Sequence, residues 1–304
     1  MTYSKTPGAL VLSAILLCAA VCATEQHTAA LNPVIARLMA GKPGAVVLLD
    51  VASGRIVAQS NLKLAAERVT TPGSVVKPFV LLELLESGKI DPEQHLVCRR
   101  MLTIAGHRMD CTHSPAVTNL NAADAIAYSC NSYFAQAAVR LSPGELAQTF
   151  ERAGFSAPTG LAEDEAEGRV VTAIGQPQFQ LQALGYWGVE VTPLELVAAY
   201  RNLALDKLNN DSPRNRPVFE GLERAVKYGM AHDALPSGIT AAGKTGTSTG
   251  AMSETHGFFV GYAPAERPQV VLVVYLEHGR GSDAAAVASP IFTAYGKTPQ
   301  GARK

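Results

Sequence analysis

The sequence predicts an α/β fold of the α+β type. Its core would be a five-stranded, mainly antiparallel sheet, flanked by N- and C-terminal helices and interrupted by a large helical insert. Two apolar segments rich in β-branched residues lie near the start of the chain and three lie near its end. The long stretch between them is rich in Ala, Leu and Glu. Apolar residues make up 47% and charged residues 17% of the 304 residues, which suits a packed globular protein.

Residues 1–23 have the pattern of a secretory signal peptide. Lys5 supplies the positive charge, Ala9 to Ala20 the apolar core, and Val21-Cys22-Ala23 a cleavage site of small residues. The apolar run is short for a membrane span. We therefore expect an exported domain, in the periplasm or at the extracytoplasmic face of the cell membrane. An uncleaved signal that keeps the domain at the membrane is the alternative.

The remaining chain, residues 24–304, is predicted to be a single domain. Its sheet parts are about 24–72 and 236–304, and its helical part is about 73–235. Apolar residues at helical spacing predict a first helix over residues 27–41. The other expected elements are strands at 45–51, 55–59, 240–247, 255–262 and 269–277, a final helix at 283–295, and a surface loop at 204–217, where Asn, Asp and Pro occur.

A Ser-x-x-Lys pair, Ser74 and Lys77, lies where a Thr-Pro-Gly turn meets an apolar helix. Residues three apart share a helix face, so the amine would lie beside the hydroxyl. Burial lowers the pKa of an amine, which would let Lys77 act as the base that a serine nucleophile needs. Taken alone, the pair is far more typical of a capping serine followed by a surface lysine.

Two further motifs follow in order: Ser129-Cys130-Asn131 and Lys244-Thr245-Gly246. Together with Ser-x-x-Lys they form the signature of penicillin-binding proteins and related serine β-lactamases. The segments 191–200 and 256–264 also resemble parts of penicillin-binding proteins. Over residues 43–297 the chain therefore resembles a penicillin-binding transpeptidase domain.

The resemblance implies a D,D-transpeptidase or D,D-carboxypeptidase that acts on D-Ala-D-Ala stem peptides of peptidoglycan and is inhibited by β-lactams. Ser74 would form the acyl-enzyme, Lys77 would be its base, and Ser129 would relay a proton to the leaving amine. The resemblance implies no cofactor. The implied substrate-binding residues are Asn131, Lys244, Thr245, Gly246 and Thr247, and the backbone N–H groups of Ser74 and Thr247 would hold the oxyanion.

Two other functions compete with this one. A β-lactamase needs a base that activates water for deacylation. The acidic residues Glu163, Asp164, Glu165 and Glu167 lack the sequence context of such a base in class A enzymes. A non-catalytic sensor of β-lactams or muropeptides would normally be tied to transmembrane signalling segments, and the sequence shows none. Lys+Arg and Asp+Glu both number 26, so nothing indicates nucleic-acid binding.

Beyond the signal, the sequence keeps the three cysteines Cys98, Cys111 and Cys130. In an exported protein this favours a Cys98–Cys111 disulfide with Cys130 free. The first alternative is a Cys3His zinc site completed by His113, since some elongation-type relatives place metal ligands in this segment. The second is that all three thiols are free.

Overall fold

A five-stranded antiparallel sheet forms the centre of the molecule. The structure, a computed structural model, describes residues 30–210, 212–249 and 254–298; the predicted signal peptide lies outside these residues. The strands of the sheet are β1 Gly44–Asp50, β2 Ile56–Ser60, β9 Ala242–Thr249, β10 Thr255–Ala263 and β11 Val270–Leu276. They lie in the order β2-β1-β11-β10-β9. All five strands lie within two residues of the predicted segments.

The N-terminal hairpin joins the sheet through its first strand. β1 pairs with β11 over its whole length, from Gly44 opposite Leu276 to Asp50 opposite Val270. Both faces of the sheet are covered. Val47 and Leu49 pack toward the helical insert, whereas Val46 and Leu48 pack toward the terminal helices. Because both faces of β1 are buried, its sequence is one continuous apolar run.

The terminal helices cover one face of the sheet. Residues 30–39 form α1, which buries Leu31, Ile35 and Met39. The last helix, Gly281–Gly296 (α10 below), buries an apolar stripe that includes Ile291 and Phe292 on the same side. Both helices were expected from their apolar spacing.

The other face carries the helical insert, whose elements position the candidate site. Its helices are α2 Leu62–Glu67, α3 Lys77–Glu86, α4 Ala122–Ala127, α5 Asn131–Ala137, α6 Pro143–Arg152, α7 Gln176–Ala183, α8 Pro193–Asn209 and α9 Arg216–Lys227. Short strand pairs lie between them: β3 Leu96–Val97 with β6 Asn119–Leu120, β4 Thr103–Ile104 with β5 His107–Arg108, and β7 Arg169–Val170 with β8 Val189–Glu190.

The structure corrects two expectations about the insert. Residues 204–209 belong to α8, not to a surface loop, because a capping box of Thr192 and Glu195 starts this helix and buried Leu203 and Ala204 hold its last turns. Residues 96–120 contain short hairpins and turns rather than helices. Within the described ranges, no helix combines the length and the apolar character needed to cross a membrane.

Candidate active site

Ser74 lies in a 3-10 turn, Gly73–Val76, that runs directly into α3. Gly73 has a φ of +60°, a conformation that favours glycine, and a Cβ atom there would lie 2.6 Å from the carbonyl oxygen of Thr247. The turn is therefore in backbone contact with β9. Ser74 is half-buried, while Lys77 at the start of α3 is fully buried. The predicted nucleophile and base thus share one turn, and only the nucleophile is partly exposed.

Among the residues that the structure describes, the Lys77 amine donates its hydrogen bonds to the second motif. The acceptors are Asn131 Oδ1 at 2.5 Å, the Ser129 carbonyl oxygen at 2.8 Å and Ser129 Oγ at 3.3 Å. Burial lowers the pKa of Lys77 from 10.5 to about 8. A fraction of the amine is therefore neutral near pH 7, and the neutral amine is the form that accepts a proton from a hydroxyl.

Ser129 stands between the two lysines of the site. It has a φ of +51°, unusual for a serine, and it lies in the short connection from α4 to α5. Its Oγ accepts from Lys244 Nζ at 2.8 Å as well as from Lys77. A hydroxyl that accepts from two amines keeps its own proton for a further acceptor. The geometry therefore fits the predicted relay of a proton to a leaving amine.

Asn131 connects the second motif to the segment before it. Its Oδ1 accepts from Lys77, and its Nδ2 donates to the Met109 carbonyl oxygen at 3.0 Å. The amide orientation is thereby fixed, because the oxygen faces a donor and the nitrogen faces an acceptor. One N–H of the amide remains for a substrate carbonyl.

The third motif lies on β9, one of the two edge strands of the sheet. Lys244 is buried, and burial lowers its pKa, as does the nearby charge of Lys77. A Cβ atom at Gly246 would lie 2.5 Å from the Pro72 carbonyl oxygen, so glycine is required where the strand meets the Ser74 turn.

The two threonines of the third motif differ in their hydroxyl bonds. Thr245 Oγ1 donates to the Met230 carbonyl oxygen at 3.2 Å, which leaves no proton for a carboxylate. Thr247 Oγ1 accepts from the Gly281 N–H at 2.9 Å and retains its proton. Of the two predicted carboxylate contacts, the geometry therefore favours Thr247.

Residues of one further loop contact this site and were not found from the sequence. The Gly73 N–H donates to the Gly185 carbonyl oxygen at 3.0 Å, and the Tyr186 hydroxyl donates to the Thr247 carbonyl oxygen at 2.9 Å. The available signal was a pair of aromatic residues between Gly185 and Gly188, since glycine often marks a close backbone approach.

In the acidic loop, the Glu165 carboxylate is occupied by hydrogen bonds within the loop and is not a free base. Glu165 accepts from the Thr159 N–H and hydroxyl and from the Ala162 N–H. Partial burial raises the pKa of Glu165, but these hydrogen bonds outweigh it and lower the pKa. Glu163 and Glu167 are exposed. The Glu165 carboxylate thus binds donors of its own loop.

The cysteine cluster differs from the predicted disulfide. Cys98, Cys111 and Cys130 are buried free thiols, so the expected Cys98–Cys111 bond is not formed in the structure. Instead of a bonded pair, four side chains converge. The Sγ atoms of the cysteines and a ring nitrogen of His113 all lie within 4.8 Å of one another. Cys130 Sγ lies within hydrogen-bonding distance of Cys111 Sγ, at 3.7 Å.

This donor set fits a tetrahedral zinc ion. With Zn–S bonds of about 2.3 Å and Zn–N bonds of about 2.0 Å, ligand atoms lie roughly 3.8 Å apart for sulfur pairs and roughly 3.5 Å apart for sulfur and nitrogen. The Cys111–Cys130 distance is 3.7 Å, and Cys98 Sγ lies 3.5 Å from His113 Nε2. The hydrogen bond between Cys111 and Cys130 lowers the pKa of Cys111 and raises that of Cys130, so Cys111 is the thiol of this pair that ionises first.

The cluster is built into the second motif. Cys130 lies between Ser129 and Asn131, and the Ser132 N–H donates to Cys111 Sγ at 3.3 Å. Cys111 also follows Met109, the partner of Asn131, by two residues. Any group that holds the four side chains therefore also fixes the backbone that carries Ser129 and Asn131.

Comparison with known proteins agrees with this geometry. The family model of the penicillin-binding protein transpeptidase domain matches residues 44–295. The chain belongs to this family. The resemblance drawn from the three motifs is thereby confirmed.

Curated relatives of this penicillin-binding family member include a probable peptidoglycan D,D-transpeptidase PbpC of Pseudomonas aeruginosa. It is 27% identical over 279 residues, which cover 77% of this chain and 49% of the relative. Peptidoglycan D,D-transpeptidase FtsI of Escherichia coli is 25% identical over 296 residues, which cover 83% of this chain and 50% of the relative. The chain thus spans about half the length of these curated relatives.

Solved structures share the fold. The transpeptidase domain of Burkholderia pseudomallei penicillin-binding protein 3 has a TM-score of 0.79 at 20% identity, covering 90% of this chain and 94% of that one. Helicobacter pylori PBP2, solved in complex with MreC, has a TM-score of 0.79 at 21% identity, covering 89% and 63%. The predicted fold class is confirmed. The roles of individual residues remain predictions.

Proposed function

We propose that this protein is a penicillin-binding serine D,D-transpeptidase that acts on D-Ala-D-Ala stem peptides of peptidoglycan. The observation that carries the proposal is the buried Lys77 amine. Its pKa is lowered to about 8, and it is joined to Lys244 through the Ser129 hydroxyl. A base of this kind, one helical turn from a half-buried serine, suits acyl transfer.

In the proposed reaction, Ser74 Oγ attacks the carbonyl carbon of the penultimate D-Ala and its proton passes to Lys77. The oxyanion accepts hydrogen bonds from the N–H groups of Ser74 and Thr247. The C–N bond then breaks, and the leaving D-alanine amine takes a proton through Ser129. Lys244 and the Thr247 hydroxyl face the terminal carboxylate of the donor peptide. An acceptor amine attacks the ester carbonyl on Ser74, the C–O bond to Ser74 Oγ breaks, and the proton lost by the amine returns to Ser74 Oγ as the cross-link forms.

The same acyl-enzyme would give a D,D-carboxypeptidase if water replaced the amine. Product analysis on a pentapeptide muropeptide, with and without an acceptor amine, separates the two activities. A cross-linked product is expected when the amine is present. Release of D-alanine with only the tetrapeptide formed, whatever the amine concentration, would make the protein a carboxypeptidase.

The proposal also predicts a long-lived adduct with penicillin. Hydrolysis of the ester needs a water activated by a base, and the Glu165 carboxylate is committed to Thr159 and Ala162. Intact-protein mass spectrometry over time should show an adduct on Ser74 that lasts for many minutes. An adduct lost within seconds, with penicillin consumed in large excess over protein, would indicate a β-lactamase.

We further propose that the protein is exported and that peptidoglycan is reached outside the cytoplasm. The support is the signal-like pattern of residues 1–23. Stem peptides and β-lactams are both found on that side of the membrane. Fractionation of cells that express the chain, followed by labelling with fluorescent penicillin, tests the location. Labelled protein found only in the cytoplasm would refute it.

As a second proposal, Cys98, Cys111, His113 and Cys130 hold a zinc ion with a structural role. It rests on the match between the 3.7 Å and 3.5 Å separations and a tetrahedral set. Metal analysis of purified protein should give one zinc per chain. His113→Ala should lose it, while His95→Ala, at an exposed histidine outside the cluster, should keep it. No zinc in the unaltered protein, together with a disulfide in mass spectra, would refute the proposal.

A further inference from the structure

We propose that Tyr186 is a positioning residue for the oxyanion hole. Its hydroxyl would fix the outer edge of β9 so that the Thr247 N–H faces the reacting carbonyl. The inference rests on the proposed acyl-transfer function and adds a residue that lies outside the three motifs. Tyr186 follows α7 in the loop that leads to β8.

The direction of the Thr247 peptide groups follows from the sheet. In an antiparallel pair, the N–H and C=O of one residue point to the same side of its strand. β9 is the last strand of the sheet, so residues alternate between facing β10 and facing outward. The Thr247 carbonyl oxygen accepts from Tyr186, at 2.9 Å, on the outer side. The Thr247 N–H therefore also points outward.

The outward side of Thr247 faces the Ser74 turn. A Cβ atom placed on Gly73 would lie 3.2 Å from the Thr247 nitrogen and 2.6 Å from its carbonyl oxygen. The predicted oxyanion donors, the N–H groups of Ser74 and Thr247, thus belong to two segments in direct contact. Edge strands have no second neighbouring strand to hold them, so their outer groups need another partner.

The loop that carries Tyr186 holds both segments at once. Its Gly185 carbonyl oxygen accepts from the Gly73 N–H at 3.0 Å, one residue before Ser74. A Cβ atom on Gly185 would lie 2.1 Å from the Gly73 carbonyl oxygen, so the two backbones meet without intervening side chains. Gly185 therefore fixes the Ser74 donor, and the Tyr186 hydroxyl fixes the Thr247 donor. Burial raises the pKa of Tyr186, so its hydroxyl stays protonated and can donate.

Loss of this hydroxyl should slow acylation without removing a catalytic group. Complete loss of an oxyanion donor typically costs 100-fold or more in rate, and a donor left in place but free to rotate should cost less. We expect Tyr186→Phe to lower the limiting acylation rate roughly tenfold. The dissociation constant of the noncovalent penicillin complex should change by less than about twofold, because ground-state contacts remain.

The matched control is Tyr295→Phe. Tyr295 is a buried tyrosine whose hydroxyl donates to Gln269 Oε1 at 3.0 Å, on the opposite face of the sheet. Stopped-flow acylation by a fluorescent penicillin gives the limiting rate and the noncovalent dissociation constant separately. Tyr295→Phe should match the unaltered protein in both. Thermal unfolding of both variants shows how much of any rate loss comes from lost stability.

A second measurement reports the oxyanion hole directly. Hydrogen bonds to the ester carbonyl of the penicilloyl-enzyme lower its infrared stretching frequency. Tyr186→Phe should shift this band to higher wavenumber, and Tyr295→Phe should not. An unshifted band with an unchanged limiting rate would overturn the positioning role. So would a rate loss that only parallels unfolding. If the unaltered protein is not acylated at all, the proposed function fails instead.

Discussion

The pH dependence of acylation provides a sharp test of Lys77. Burial lowers the pKa of this amine from 10.5 to about 8, so the protonated form is disfavoured in the folded protein. Only the neutral amine can take the proton of Ser74. The limiting acylation rate should therefore rise with pH through the pKa of Lys77 and become constant above it.

The expected magnitude follows from the position of this pKa. With a pKa of about 8, roughly a tenth of the amine is neutral at pH 7 and roughly nine tenths at pH 9. The rate should therefore increase about tenfold between these two pH values and then level off. A lysine with its ordinary pKa of 10.5 would instead give a rate that climbs about tenfold per pH unit across the whole range.

The assay must separate Lys77 from Lys244. Burial also lowers the pKa of Lys244, and loss of that charge would weaken binding of the β-lactam carboxylate at high pH. The limiting rate at saturating fluorescent penicillin reports the Lys77 step, whereas the apparent affinity reports Lys244. Lys77→Ala should be slow and should lose the pH dependence. A profile in the unaltered protein that is flat, or that still rises tenfold per unit above pH 9, would refute the assignment.

Three further predictions concern the site. Ser74→Ala should abolish covalent labelling by fluorescent penicillin, and undiminished labelling would place the nucleophile elsewhere. Gly246→Ala should slow acylation about 100-fold, because its Cβ atom would lie 2.5 Å from the Pro72 carbonyl oxygen. Gly144→Ala is the control, since there is open space around that residue. Equal acylation rates in the two variants would contradict the proposed contact. In protein stripped of metal by a chelator, peroxide should link Cys111 to Cys130, which peptide mass mapping would show; a link from Cys98 to Cys111 would support the original expectation instead.

Much of the fold could be predicted because local patterns agree with it. The five strands are apolar runs bounded by turn residues, and both terminal helices show apolar residues at helical spacing. The end of α8 was missed because Asn209 and Asn210 suggest a loop, although buried Leu203 and Ala204 continue the helix. Tertiary burial outweighs local propensity there.

The active-site motifs could be found because each has a distinct local pattern. The contacts that orient them could not. The backbone carbonyl oxygen of Met109 accepts from Asn131, and that of Met230 accepts from Thr245. Neither contact depends on the side chain of the methionine. Because every residue has a backbone carbonyl oxygen, the sequence does not indicate which one accepts the hydrogen bond.

The arrangement of the cysteines could not be predicted from the sequence either, and it has a consequence for function. Under the expectation of export, counting thiols favours the pairing of the two that are nearest in sequence, Cys98 and Cys111. In the fold, α5 begins after Cys130 and brings that residue into the cluster. Because Cys130 separates Ser129 from Asn131, whatever binds or links these sulfurs acts on both hydrogen-bond partners of Lys77. The state of the cluster should therefore be controlled, by added zinc or by reductant, whenever acylation rates of two preparations are compared.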